Sequence, residues 1–258
     1  ITLGYGYSFN HNLLCGDVWK SFHRSFHRDF PTESNPPKYS IAVGVETGLG
    51  DNIVGLISIF YFSLLSKRLF AVYPFDNLPH YEWAFDQPNT NWTYPFILPD
   101  EVIAPLKYTY KGVNGYRWSR EYNSSLVNTT EYAQIYLVND NANSDNLFQK
   151  SNISKSAENP VVLFASNRGR TFKLFDNPFH KSQLQEMGLT AANAFPCAFF
   201  FLFSPNIQMQ QLYEEQWNIL KDINHSFVAK IGIRIRVGDS ESFQKRNKPS
   251  NEGESLLT

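Results

Sequence analysis

Along this chain the spacing of apolar residues switches between the period of a strand and the period of a helix. Ile41-Ala-Val-Gly-Val45 is a short apolar strand, and the glycine-rich turn Thr47-Gly-Leu-Gly-Asp51 follows it. Asn52 to Ser66 is then apolar nearly all round (Ile53, Val54, Leu56, Ile57, Ile59, Phe60, Phe62, Leu64, Leu65), so the helix it predicts must be covered on several sides. Lys67 and Arg68 fall at its carboxyl end, where the helix dipole favours cations. Leu69-Phe-Ala-Val-Tyr73, closed by Pro74, is the next strand. Strand, helix and strand make a βαβ unit, the opening of a Rossmann-like parallel sheet and an α/β fold.

Upstream, Trp19, Phe22, Phe26 and Phe30 form the apolar stripe of a helix that Pro31 ends, a helical lead-in over residues 1–40. The opposite face carries His23, Arg24, His27 and Arg28; with no third ligand near the two histidines, a solvated basic face is preferred to a metal site. Downstream, residues 75–130 are rich in Tyr, Trp, Pro and Asn without clear periodicity. Such rings either stack on sugars or pack a loop onto the core, and the sequence does not choose. Gln134-Ile-Tyr-Leu-Val138 reads as a strand, and the Asn/Ser-rich run from Asn139 to Asn159 as a mobile surface loop. Val161-Val-Leu-Phe-Ala165 is a buried strand leading into Ser166-Asn-Arg-Gly169. Residues 179–188 and 190–203 are helical in part. Pro196-Cys-Ala-Phe-Phe-Phe-Leu-Phe203 is a core helix or a buried strand, far short of the ~20 residues that span a bilayer. Asn206 to Lys221 predicts an amphipathic helix.

In Ile231-Gly-Ile-Arg-Ile-Arg-Val-Gly-Asp239 the apolar residues alternate as in a strand with one buried face. Arg234 and Arg236 share the other face, just before a turn. Ligands of open α/β sheets sit beyond the carboxyl ends of strands, and the donor fork of an arginine there suits a phosphate or carboxylate. Ser240 to Thr258 is polar and charged, a disordered tail or the stump of a further domain.

The chain has 258 residues, with 42% hydrophobic and 16% aromatic, which provides for a core and excludes general disorder. A net charge of −1 offers no argument for nucleic acid. Cys15 and Cys197 are either one disulfide or two buried thiols. Sequons at Asn91, Asn123, Asn128, Asn152 and Asn224 are a mild sign of a lumenal, glycosylated protein. Nothing supports a GxSxG serine nucleophile, a cysteine–histidine pair or an HExxH zinc site.

Gly48-Leu-Gly50, between a strand and a helix, invites a dinucleotide reading. The third glycine of that fingerprint should fall at Ile53, Gly55 comes two positions late, and the expected acidic residue is missing, with Asp76 the nearest. Two readings remain. A tight turn needs glycine, or the backbone N–H groups at the helix start face the anionic end of a sugar nucleotide.

Two stretches together resemble the plant xyloglucan fucosyltransferase family. The first is Val45 to Arg68, similar to that family's Gly-Leu-Gly-Asn-Arg turn and apolar helix. The second runs from Val161 through Ser166-Asn167 and Phe203-Ser-Pro-Asn206 to the Gly-Ile-x-Ile/Val-Arg-Val strand at Gly232–Val237. The resemblance implies a GT-B glycosyltransferase, with GDP-fucose held between two Rossmann-like domains, inversion at the anomeric carbon, no metal and no cofactor. It implies a Golgi protein anchored by a segment outside these residues, with an oligosaccharide or polysaccharide as acceptor. Residues 41–228 would be the acceptor-side domain, and 229–258 the first strand of a mostly missing donor domain with a tail. Arg236 would contact the donor diphosphate and stabilise departing GDP. Gly48, Gly50, Asp51, Asn52, Asn167, Arg234 and Asp239 would line the substrates. Two departures stand out: Gly-Leu-Gly-Asp-Asn lacks the loop arginine, and Asn167 stands where plant members can carry an aspartate, although an amide cannot act as a base. The alternative expectation is an inactive glycosyltransferase-like module that binds glycans or serves as a scaffold.

Overall fold

A computed structural model describes residues 15–19, 21, 37–43, 48–73, 81–95, 97–98, 132–137, 142–155 and 158–222. The chain divides into two compact units, Ile1–Glu214 and Glu215–Thr258; of the second only residues 215–222 are described. The centre of the first is a four-stranded sheet, in the spatial order β2-β1-β5-β4, with every pairing parallel. Its strands are β1 (Tyr39–Val43), β2 (Leu69–Tyr73), β4 (Tyr132–Leu137) and β5 (Val161–Ser166). Ile41 pairs with Ala71 on one side and Leu163 on the other. The strands predicted at 41–45, 69–73, 134–138 and 161–165 are present, with ends moved by at most two residues, and the strand predicted at 231–237 lies outside the described residues.

Alternation along β1 sends Ile41 and Val43 to one face, with Ala71, Leu163, Ala165, Tyr94 and Leu98. Ala42 goes to the other face, with Phe70, Val72, Val162 and Phe164. Burial on both faces explains why β1, β2 and β5 read as unbroken apolar runs.

Helix α1 (Leu49–Leu65) covers the second face, and every residue in it is buried except the first three and Val54. Its uniform apolarity has a direct cause. Phe62 meets Phe164 of the sheet at 4.6 Å between ring centroids, while Phe60 packs both on Phe70 of the sheet at 5.6 Å and on Phe201 at 5.7 Å. Tyr61 donates its hydroxyl to the Ala194 carbonyl at 2.7 Å, which satisfies the one polar atom of a buried ring. Truncating any of these rings removes about 3–5 kcal/mol.

Within the Asn/Ser-rich run expected to be a mobile loop, the described residues 142–155 are instead largely helical. Helix α2 (Ala142–Lys150) and a 3-10 turn at Ile153–Lys155 occupy it. Leu147, Phe148 and Ile153 are buried in the same core as α1. The carbonyls at the end of α2 are capped from far along the chain, where Asn177 Nδ2 donates to Phe148 O (2.8 Å) and Ser151 O (2.9 Å). His180, 2% exposed, accepts the Ile153 N–H on Nε2 at 2.8 Å. Burial lowers the pKa of this ring, against a smaller upward pull from Gln183.

Helices α3 (Lys181–Glu186) and α4 (Ala194–Leu202) follow. The apolar run at 196–203 is therefore helix, and Pro196 falls in its first turn, where no N–H is required. Strands β3 (Phe85–Asp86) and β6 (Ser204–Pro205) pair antiparallel. Asn206 caps α5 (Ile207–Asp222): its Oδ1 accepts Met209 N–H at 3.0 Å, and its Nδ2 donates to Trp83 O at 2.8 Å.

For the described aromatics of 75–130 the core wins over the sugar-stacking alternative. Tyr81, Trp92 and Tyr94 are buried, and Trp92 Nε1 donates to Leu202 O at 2.9 Å; Trp83 alone of these is exposed. Residues 15–19 are helical, with Trp19 3% exposed. Cys15 and Cys197 form a disulfide, which resolves the open choice between a bond and two thiols. His23, His27 and the remainder of the lead-in stripe lie outside the described residues.

Candidate functional site

The carboxyl ends of the adjacent strands β1 and β5 are the part of an open α/β sheet where ligands collect. Two segments meet there, the start of α1 and the stretch after β5. Gly48 is the N-cap of α1 and makes no side-chain cap. The first intrahelical bond runs from Asn52 N–H to Gly48 O at 3.1 Å, which leaves the N–H groups of Leu49, Gly50 and Asp51 without helical acceptors.

A Cβ added at Gly50 would meet nothing within 4 Å, and its backbone is not left-handed. Among the described residues, no packing contact and no left-handed backbone demands glycine at that position. With no described neighbour beside it, Gly50 lies at the positive end of a helix, where the dipole favours an anion.

Gly55 is a different case. A Cβ there would lie 2.6 Å from the carbonyl oxygen of Ser166, so glycine is what lets α1 cross the end of β5. This is the helix–strand approach that the third glycine of a dinucleotide fingerprint serves, here two residues later. Gly169 is tight as well: a Cβ added there would lie 3.3 Å from the Val54 Cβ.

The stretch after β5 is held in place by several bonds. Ser166 Oγ donates to Arg168 O at 3.2 Å, and Arg170 N–H donates to Ser58 Oγ of α1 at 2.6 Å. The buried Arg170 guanidinium pairs with Asp145 at 2.9 Å, and Lys173 reaches the other oxygen of that carboxylate at 3.5 Å. This bracing presents Arg168 toward the helix start, with NH1 3.9 Å from Asp51 Oδ1 and both side chains nearly half exposed. Such a pair is weak enough to open for a competing anion. Arg168 was not among the residues singled out from the sequence. Its pairing with Asp51 joins turns on neighbouring strands, and no local pattern reveals it.

Of the sequence-derived candidates, Gly48, Gly50 and Asp51 stand together at the helix start. Asn52 is buried and its Nδ2 donates to Gly48 O at 3.4 Å, so its amide braces the turn. Asn167 is only 5% exposed. Arg234, Arg236 and Asp239, with the sequons at Asn123, Asn128 and Asn224, lie outside the described residues. Among the described residues no group of three His, Cys, Asp or Glu side chains could hold a metal.

No protein-family model matches this chain. It is 27% identical over 243 residues to "Probable fucosyltransferase 5" of Arabidopsis thaliana, covering 86% of this chain and 42% of that protein. It is 28% identical over 207 residues to "Probable fucosyltransferase 4" of the same plant, covering 74% of this chain and 35% of that one. The chain thus spans less than half the length of the curated relatives it matches. Among solved structures, a mutant of Arabidopsis thaliana FUT1 in complex with GDP superposes with a TM-score of 0.54 at 20% identity, over 81% of this chain and 47% of that one. The α/β Rossmann-like fold expected from the sequence is borne out, as is the resemblance carried by its two motifs.

Proposed function

For a chain related to the plant fucosyltransferases, we propose that it is the acceptor-side part of a GT-B enzyme that transfers fucose from GDP-fucose to a glycan hydroxyl. The observation that carries this reading is the junction at the carboxyl edge. The two stretches that bear the resemblance, the glycine turn and the segment after β5, close on one another through Asp51, Arg168, Gly55 and Ser166. In this reading residues 41–228 form the acceptor-side domain and 229–258 begin the donor domain. In the same reading Arg236 is the residue that contacts the donor diphosphate and stabilises GDP as it departs, with inversion and without a metal, and Arg234 and Asp239 bind substrate. The helix start at Gly48–Asp51 and the Arg168 guanidinium favour an anionic substrate group such as GDP, and Arg168 takes the place of the arginine missing from Gly-Leu-Gly-Asp-Asn. The reaction belongs in the Golgi lumen, on an oligosaccharide or polysaccharide of the cell surface or wall, with an anchor outside these residues. No described helix is long and apolar enough to cross a membrane.

The test is calorimetry with GDP on the chain and on Arg236→Ala. Binding that weakens by about 2–4 kcal/mol in the variant, the value of a lost charge-assisted phosphate contact, supports the reading. An unmutated chain that binds glycan but not GDP would instead be a module that holds sugar without transferring it.

A further inference from the structure

Among the described residues, one sequon is built so that a glycan fits the folded chain. Asn91-Trp92-Thr93 lies along β2, an outer strand of the four-stranded sheet. Val72 N–H donates to Trp92 O at 2.6 Å, Tyr94 N–H donates to Val72 O at 3.1 Å, and Thr93 forms a parallel bridge to Val72. Trp92 is the anchor, 1% exposed, with its ring against Tyr81 and Phe203 and its indole N–H on Leu202 O.

Asn91 is exposed, and its Oδ1 accepts the Thr93 N–H at 3.0 Å. Gln87 clamps the rest of the tripeptide: its Oε1 accepts Trp92 N–H at 2.9 Å and its Nε2 donates to Thr93 Oγ1 at 3.0 Å. The sequon at Asn152 is placed otherwise. It is folded into a 3-10 turn, its Oδ1 takes the Ser154 hydroxyl, and its central Ile153 is fully buried against His180.

An independent observation points to the same compartment. The Cys15–Cys197 disulfide belongs to an oxidising lumen, where sequons are used.

We infer that Asn91 carries an N-linked glycan. The oligosaccharide comes from a lipid-linked diphosphate donor by way of the host oligosaccharyltransferase. Asn91 Nδ2 forms a bond to the anomeric carbon, the bond from that carbon to the diphosphate oxygen breaks, the amide loses one proton, and lipid diphosphate leaves. None of this depends on the transfer reaction proposed above.

The experiment is to secrete the chain from eukaryotic cells behind a cleavable signal, treat it with peptide N-glycosidase in 18O water and map the peptides. The expected result is 18O-labelled aspartate at position 91, and loss of one glycan step on a gel in Thr93→Ala, which keeps the Asn91 amide. Unmodified Asn91 in the secreted, disulfide-bonded chain overturns the site.

Discussion

The two ends of the sheet are built on opposite principles. At the amino end Arg68, 1% exposed, donates from NH1 to the carbonyls of Tyr39 and Pro160, both at 3.3 Å, and ties the start of β1 to the approach of β5. Burial lowers its pKa to about 10, so it stays charged at neutral pH. At the carboxyl end the charged pair is Arg168 with Asp51, at 3.9 Å and nearly half in water, beside a glycine that no neighbour requires. One end spends an arginine on closing the sheet, and the other keeps one loose. Within a single βαβ scaffold, stability and ligand chemistry are assigned to different edges.

The largest expected effect is at the closed end. Arg68→Ala removes charge-assisted bonds to two carbonyls together with a buried stem, and should cost about 3–5 kcal/mol in urea unfolding, with GDP affinity unchanged once the protein is folded. A loss under 1 kcal/mol would erase the distinction between the edges.

The same substitution at two glycines of α1 should act with opposite sign. Gly55→Ala drives a Cβ into the Ser166 carbonyl and should cost about 1–3 kcal/mol. Gly50→Ala, in open space at ordinary φ, should gain about 0.5–1 kcal/mol of helix propensity while weakening GDP binding, which thermal melts and calorimetry will separate.

A smaller effect is pH-dependent. The folded pKa of His180 is depressed, so below about pH 6.5 the unfolded chain binds the extra proton and stability falls as pH drops toward the folded value. His180→Gln, which can still accept the Ile153 N–H, should flatten this acid limb of a melting-temperature profile.

Arg168→Ala should be the mildest for folding, within about 0.5 kcal/mol, yet should reduce GDP affinity. Equal affinity in variant and parent would remove Arg168 from the proposed site.

The βαβ unit from Tyr39 to Tyr73 was legible because a doubly buried parallel sheet writes itself as apolar runs, and a covered helix as an apolar cylinder. Helix α2 was not, because Leu147 and Phe148 are too short a stripe and the cap comes from Asn177. Tyr81 and Trp92 pack as loop residues, so their burial leaves no period to detect. At the site, Gly48 to Asp51 could be read from local pattern, whereas Arg168 becomes visible only when β1 and β5 are adjacent. The late Gly55, a departure from the dinucleotide fingerprint, is a packing glycine whose reason is the Ser166 carbonyl.

The disulfide has a consequence in time as well as in space. Its cysteines are separated by 182 residues, so at ribosomal speeds of about 5–20 residues per second Cys197 follows Cys15 by roughly 9–36 s. Through that interval the earlier cysteine waits as a thiol, while β1, α1, β2 and β5 are all made before its partner exists. The bond therefore acts as a late latch, fastened across a sheet whose strands have already been synthesised, and any premature oxidation of Cys15 would be paid in chains that never close.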